Sequence, residues 1–67
     1  MQFTLYTPKM RSWHRVSVAH DISDQAMDWC EITPGNKFTI WCGKVTRIDF
    51  YFKDMKDAVL FRLTWVE

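Results

Sequence analysis

The stretch Arg47-Ile48-Asp49-Phe50-Tyr51-Phe52-Lys53-Asp54-Met55-Lys56-Asp57-Ala58-Val59-Leu60-Phe61-Arg62-Leu63-Thr64-Trp65-Val66-Glu67 decides the fold. Its first part alternates: Ile48, Phe50 and Phe52 are separated by Asp49 and Tyr51, with Lys53 following, the period of a strand with one face buried. Asp54 breaks the alternation with a side chain suited to cap a helix. Asp57 adds negative charge where a first helical turn welcomes it. Beyond the cap, Met55, Val59, Leu63 and Val66 fall near one helical face, with Ala58 and Leu60 flanking. A strand feeding directly into a packing element is expected, with the chain folded to its end. A rival pattern exists, since Phe61, Leu63 and Trp65 alternate with Arg62 and Thr64 as in a strand. The Asp54 cap and the Ala-Val-Leu content favour the helix.

Working outward, residues 37–42 also alternate, with Phe38, Ile40 and Cys42 expected inward and Thr39 and Trp41 outward. Gly43-Lys44 supplies a turn, so this run and the next form a hairpin. Upstream, Pro34-Gly35-Asn36 ends a helix expected over residues 22–32. Asp21 and Ser23 are its candidate caps, Asp24 complements its dipole, and Ile22, Ala26, Trp29 or Cys30, and Thr33 share a face. Residues 13–19 alternate again: Trp13, Arg15, Ser17 and Ala19 on one side, His14, Val16 and Val18 on the other. Residues 2–7 read as a first strand, ended by Pro8 and hairpinned to the second through the polar turn 8–12. The expected fold is a single α+β domain over residues 1–67. It has two layers, an antiparallel sheet with two helices on one face, in the order ββαββα. Were the tail a strand and the first two strands one, the order would become the ferredoxin-like βαββαβ.

A chain of 67 residues buries only ~60 % of the surface its unfolded form exposes, so its core must be rich. It is: 48 % of the residues are hydrophobic and 16 % aromatic, including four Trp, five Phe and two Tyr. Each ring buries on the order of 150–250 Å², more in total than two thin layers hide, so some is expected at the surface or under a partner. Nine Lys/Arg against eight Asp/Glu give a formal charge of +1. That balance excludes a carboxylate-rich DNA mimic and disfavours a generic nucleic-acid binder, which needs phosphate neutralisation. It also leaves little self-repulsion to oppose a homodimer. Met1 leads into strand-like residues rather than a basic and then apolar leader, and no apolar run nears the ~20 residues of a membrane span. A cytoplasmic protein with reduced, mostly buried Cys30 and Cys42 and no membrane contact is expected.

Phe50-x-Phe52-x-Asp54-x-x-Asp57-Ala58-x-x-Phe61-x-Leu63-x-Trp65 resembles the ends of small uncharacterised proteins of tailed bacteriophages. The resemblance covers about a quarter of the chain and carries no site residue with it. It implies a viral protein made in the bacterial cytoplasm, and small phage proteins of that kind commonly bind a host protein.

Four constellations are set against their plainer readings. His14, His20, Cys30 and Cys42 are metal-ligating types. Five residues separate the histidines and eleven the cysteines, so no tight knuckle forms and no metal or other cofactor is expected. A Cys30 nucleophile would need His20 and Asp21 converging on it at one helix start, and Cys42 on an inward strand face would be inert; no enzyme is expected. Asp21, Asp24, Asp28 and Glu31 read first as a solvated helix flank, and second as a docking face for a basic partner. The fourth group is the most informative. Trp41 and Tyr51 project from the outward side of the central hairpin, with Lys44, Arg47 and Lys53 around them. Residues 44–52 resemble the basic-aromatic strand of an RNA-recognition motif, but without its internal glycine and with Asp49 beside any phosphate. The same rings serve a protein interface, where Trp, Tyr and Arg dominate. The expected function is a small interaction module that binds and modulates a host protein. Trp41, Tyr51 and Trp13 would be buried by the partner, with Arg47, Lys53 and Arg15 at the rim. The alternative is a single-stranded nucleic-acid binder stacking bases on that face.

Overall fold

A computed structural model describes residues 1–66. The central hairpin forms as the alternation predicts: β3 (Lys37–Lys44) pairs antiparallel with β4 (Arg47–Phe52), with Phe38 opposite Phe52 and Ile40 opposite Phe50. The turn is Val45-Thr46, because β3 runs on through Gly43-Lys44. A register irregularity between Trp41 and Lys44 ends the strict alternation, and Cys42 lies exposed rather than inward. β2 (His14–Ala19) pairs antiparallel with the far side of β4, setting Val16 opposite Phe50 and Val18 opposite Ile48.

The N-terminal strand departs from the expected hairpin. β1 is only Gln2–Phe3, and it pairs parallel with β3 at the opposite edge from β2. The sheet order is β1-β3-β4-β2, so the sheet is mixed within the ββαββα order. Residues 4–13 therefore connect one edge to the other. A 3₁₀ turn, Pro8–Ser12, occupies the place of the expected polar turn.

Two helices cover one face. α1 (Ser23–Ile32) follows a 3₁₀ turn at His20–Ile22. Neither Asp21 nor Ser23 caps it. Its N-cap is Ile22 without a side-chain bond, and the Ser23 hydroxyl donates to the His20 carbonyl at 2.7 Å. Ala26 and Cys30 are fully buried, and Ile22, Met27 and Trp29 pack beside them. The acidic residues Asp21, Asp24, Asp28 and Glu31 are all exposed, a solvated flank. α2 (Met55–Trp65) settles the tail as helix, and its N-cap is Asp54, whose carboxylate accepts from the Lys56 N–H at 2.9 Å.

The core is aromatic. Phe61 of α2 lies 4.8 Å from Phe50, 5.0 Å from Phe52 and 5.9 Å from Trp29, ring centre to ring centre. Phe38, Val16, Val18 and Ala58 complete it. The inward face of α2 is thus Asp57, Ala58, Phe61 and Trp65. The periodic set Met55, Val59, Leu63 and Val66 points away from the sheet.

Asp57 is a buried carboxylate with a structural task. It accepts a hydrogen bond from the Asn36 N–H at 2.8 Å, tying the first turn of α2 to the loop between α1 and β3. At the same place the Met1 ammonium donates to the carbonyls of Cys30 and Thr33 at the C-terminal end of α1.

Candidate functional site

The outer face of the sheet carries the aromatic and basic residues that the sequence singles out, but it is not open. Tyr6, in the segment crossing from β1 to β2, lies 4.8 Å from the Trp41 ring and 5.4 Å from the Tyr51 ring. Beneath it Tyr51 retains only 8 % exposure and Thr39 none. The expectation that Tyr51 meets a partner is corrected: the strand turns it outward, and the chain's own arm covers it. Trp41 keeps 51 % exposure, and Trp13 is half-buried.

The basic residues spread around this stack. Arg15, Lys44, Arg47 and Lys53 are all exposed. Arg15, Lys44 and Arg47 line a cleft with Ser17 and Asp49. There the Arg47 guanidinium donates to the Ser17 carbonyl at 3.0 Å, and the Ser17 hydroxyl donates to Asp49. Asp49 places a carboxylate inside the cationic cluster, which weakens it as an anion site. Lys53 lies outside this cleft.

The largest apolar surface lies elsewhere. Met55, Val59, Leu60 and Leu63 of α2, and Val66 at its C-cap, are 60, 50, 45, 61 and 47 % exposed. Met55, Val59 and Leu63 recur at four-residue spacing, so they form one ridge, with Leu60 beside it. Met55, Lys56, Val59, Leu60 and Leu63 line a shallow trough of about 490 Å³. A second groove, about 310 Å³, runs between α2 and the edge strand β2, and includes His14, Val16, Met55 and Val59. Together these five roughly half-exposed aliphatic side chains make an apolar patch of the kind that marks interaction surfaces.

No protein-family model, no curated protein and no solved structure matches this chain.

Why α2 leaves this surface is a matter of composition. Ala58, Phe61 and Trp65 fill one side while Met55, Val59 and Leu63 line the other, so the helix is apolar on two sides. A helix of that kind is ordinarily enclosed on all sides, and here one layer of sheet encloses only half of it. The sequence names these residues as a face; it does not say that the face turns out.

The cysteines separate chemically. Burial pushes the Cys30 thiol up to about 12; the Met1 ammonium pulls the other way, while Asp57 and Glu31 add to the rise. Cys30 is thus held as a neutral thiol, unsuited to nucleophilic attack. Because the folded protein keeps a proton that the unfolded chain sheds near pH 9, Cys30 stabilises the fold below that pH. The contribution declines as pH rises from about 9 towards 12. A colourless disulfide reagent at pH 8 is expected to titrate Cys42 alone in the folded protein and both thiols in denaturant. Two rapid thiols in the native state would contradict the burial of Cys30. Among the described residues no group of three His, Cys, Asp or Glu side chains is placed to hold a metal ion. Among them, too, no helix is long and apolar enough to cross a membrane.

Proposed function

We propose that this chain is a small, non-enzymatic protein-interaction module whose docking surface is the outer side of α2. One observation carries this: Met55, Val59, Leu60 and Leu63 line a mostly aliphatic trough, with Asp54 and Lys56 at its end, on a capped helix. Amphipathic helix ridges of this spacing are a recurrent element of protein-protein contacts, and their desolvation supplies the affinity. Trp41, half-exposed on the other side of the sheet, makes at most a secondary contact. The likeness of the C-terminal stretch to phage proteins supports a host protein as partner, modulated by occlusion. The nucleic-acid alternative has less behind it, since only one of its two stacking rings is accessible and Asp49 sits among its cations.

Affinity capture from a bacterial lysate tests the reading. Wild type is expected to retain a host protein, Leu63→Asp to reduce retention on the order of tenfold or more, and Trp41→Ala to change it little. Retention that survives Leu63→Asp, or that only Trp41→Ala removes, would put the docking surface elsewhere.

A further inference from the structure

We infer that the outer face of the sheet is a second docking surface, for single-stranded nucleic acid, and that the arm from Thr4 to Trp13 is its removable cover. This surface lies on the opposite layer from α2, so the inference goes beyond the docking read there.

The formal charge of +1 hides a division between the two layers. Seven of the nine Lys/Arg lie in the arm, in the strands or directly after β4, and Asp49 is the one acid among them. Six of the eight acids belong instead to the helices and to the turn and cap that open them. A phosphate chain lying on the sheet meets the cationic layer alone, not the sum over the molecule. Arg15, Lys44 and Arg47 share one cleft there, and Arg15 stands opposite Tyr51 in the strand register. Asp49, which accepts from the Ser17 hydroxyl, subtracts one charge from the cluster and leaves the layer cationic.

Tyr6 fills a place that suits a base. Its ring lies 4.8 Å from Trp41 and 5.4 Å from Tyr51, tilted by 33° and 53°. Those are aromatic contact distances, and a nucleobase can take the same place as the phenol ring. Thr39, opposite Tyr51 in the register, is fully buried and its hydroxyl has no hydrogen-bond partner. A buried hydroxyl left unpaired penalises the covered state. A base edge or a ribose hydroxyl entering in place of Tyr6 offers it a partner.

The cover is lightly held. The Thr4 N–H donates to the Phe38 carbonyl at 3.0 Å. Beyond it, among the described residues, every hydrogen bond of residues 5–12 stays within the arm: the Met10 N–H to Thr7, the Trp13 N–H to Met10 and the Ser12 hydroxyl to Lys9. Leu5, Thr7, Pro8 and Lys9 are exposed. Lifting Tyr6 therefore breaks no strand pair, and segments held by so few contacts open at low cost.

The chemistry selects the occupant. An acidic peptide matches the cations and leaves the slot between the rings unused. A duplex carries phosphates but keeps the faces of its bases stacked inside. A single strand supplies both a phosphate chain and free ring faces.

The test is fluorescence anisotropy of a labelled oligouridylate of ~12 nucleotides titrated with the full chain at about 50 and about 200 mM salt. Wild type is expected to bind with a log–log salt slope of about −3, as for four phosphates met by Arg15, Lys44, Arg47 and Lys53. Tyr6→Ala is expected to tighten binding about fivefold or more, because the uncovered state no longer has to be selected. Tyr6→Leu, which keeps apolar bulk on the arm, is expected to tighten it in the same sense, and it decides the matter should Tyr6→Ala lose its circular dichroism. Trp41→Ala is expected to weaken binding about tenfold. Lys44→Gln and Lys53→Gln, both at exposed positions, are each expected to reduce the slope by about 0.7. Leu63→Asp on α2 is expected to bind as wild type does. No binding by wild type and the Tyr6 variants, equal competition by polyglutamate or by a duplex of the same length, or indifference to Trp41→Ala would overturn the surface. Folded Tyr6 variants that bind no tighter than wild type would overturn the cover.

Discussion

Phe61→Ala is expected to leave the chain largely unfolded at room temperature. Phe61 has no exposed surface and touches three rings from two other elements: Trp29 on α1, and Phe50 and Phe52 on β4. Truncating a buried phenylalanine costs about 3–5 kcal/mol, from lost transfer energy and the cavity left behind. A domain of this length has only ~3–10 kcal/mol of total stability, and small domains sit in the lower part of that range. The loss therefore consumes most of what holds the fold. Phe61→Leu keeps most of the volume and is expected to cost much less, about 1–1.5 kcal/mol. Urea unfolding followed by circular dichroism separates the two. A Phe61→Ala protein with the wild-type midpoint would mean that α2 does not pack by this face. The outward position of Met55, Val59 and Leu63 would then fall with it.

Asp57→Ala comes second, with an expected loss of about 1–3 kcal/mol. The Asn36 N–H that Asp57 accepts is partly buried, and removing the acceptor leaves the donor without its partner. Space near the loop is tight as well: a Cβ on Gly35 would lie 2.8 and 2.9 Å from the two Asp57 carboxylate oxygens. The carboxylate thus fills the ground beneath the turn as well as bonding to it. Asp57→Asn keeps one acceptor oxygen and is expected to recover part of the loss. The same urea titration reads both. If Asp57→Ala and Asp57→Asn are both neutral, the tie between α2 and the loop before β3 contributes nothing.

Local chemistry in the sequence is legible wherever a residue acts on its neighbours. Alternation over Phe38–Phe52 identifies the central hairpin, and the Asp54 cap identifies α2 against a competing strand pattern. Ala26 and Cys30 emerge as the buried side of α1 from spacing alone. What is not legible depends on distant partners. Gln2-Phe3 pairs parallel with Lys37-Phe38 across the whole of β2 and α1, and no turn residue can announce such a pairing. Tyr6 sits in an apolar run whose period says nothing of Trp41 and Tyr51, which it covers. The orientation of α2 fails for another reason. Periodicity groups Met55 with Val59 and Leu63, and equally Ala58 with Phe61 and Trp65, and a helix apolar on both sides has no sequence mark for which side the sheet takes. Asp57, read as a dipole complement, turns out to be a buried acceptor for a loop 21 residues away in sequence.

The arm from Thr4 to Trp13 has more length than its route demands. Its ends stand three strand spacings apart, ~14 Å, whereas ten extended residues reach ~33 Å. The surplus is wound into the 3₁₀ coil at Pro8–Ser12, so the arm lies slack across the sheet rather than stretched over it. Tyr6 is therefore seated by the fit of its ring between Trp41 and Tyr51, not dragged there by a taut connection. Extra residues spliced into the coil are therefore expected to leave that seat, and the cover it gives the sheet, undisturbed.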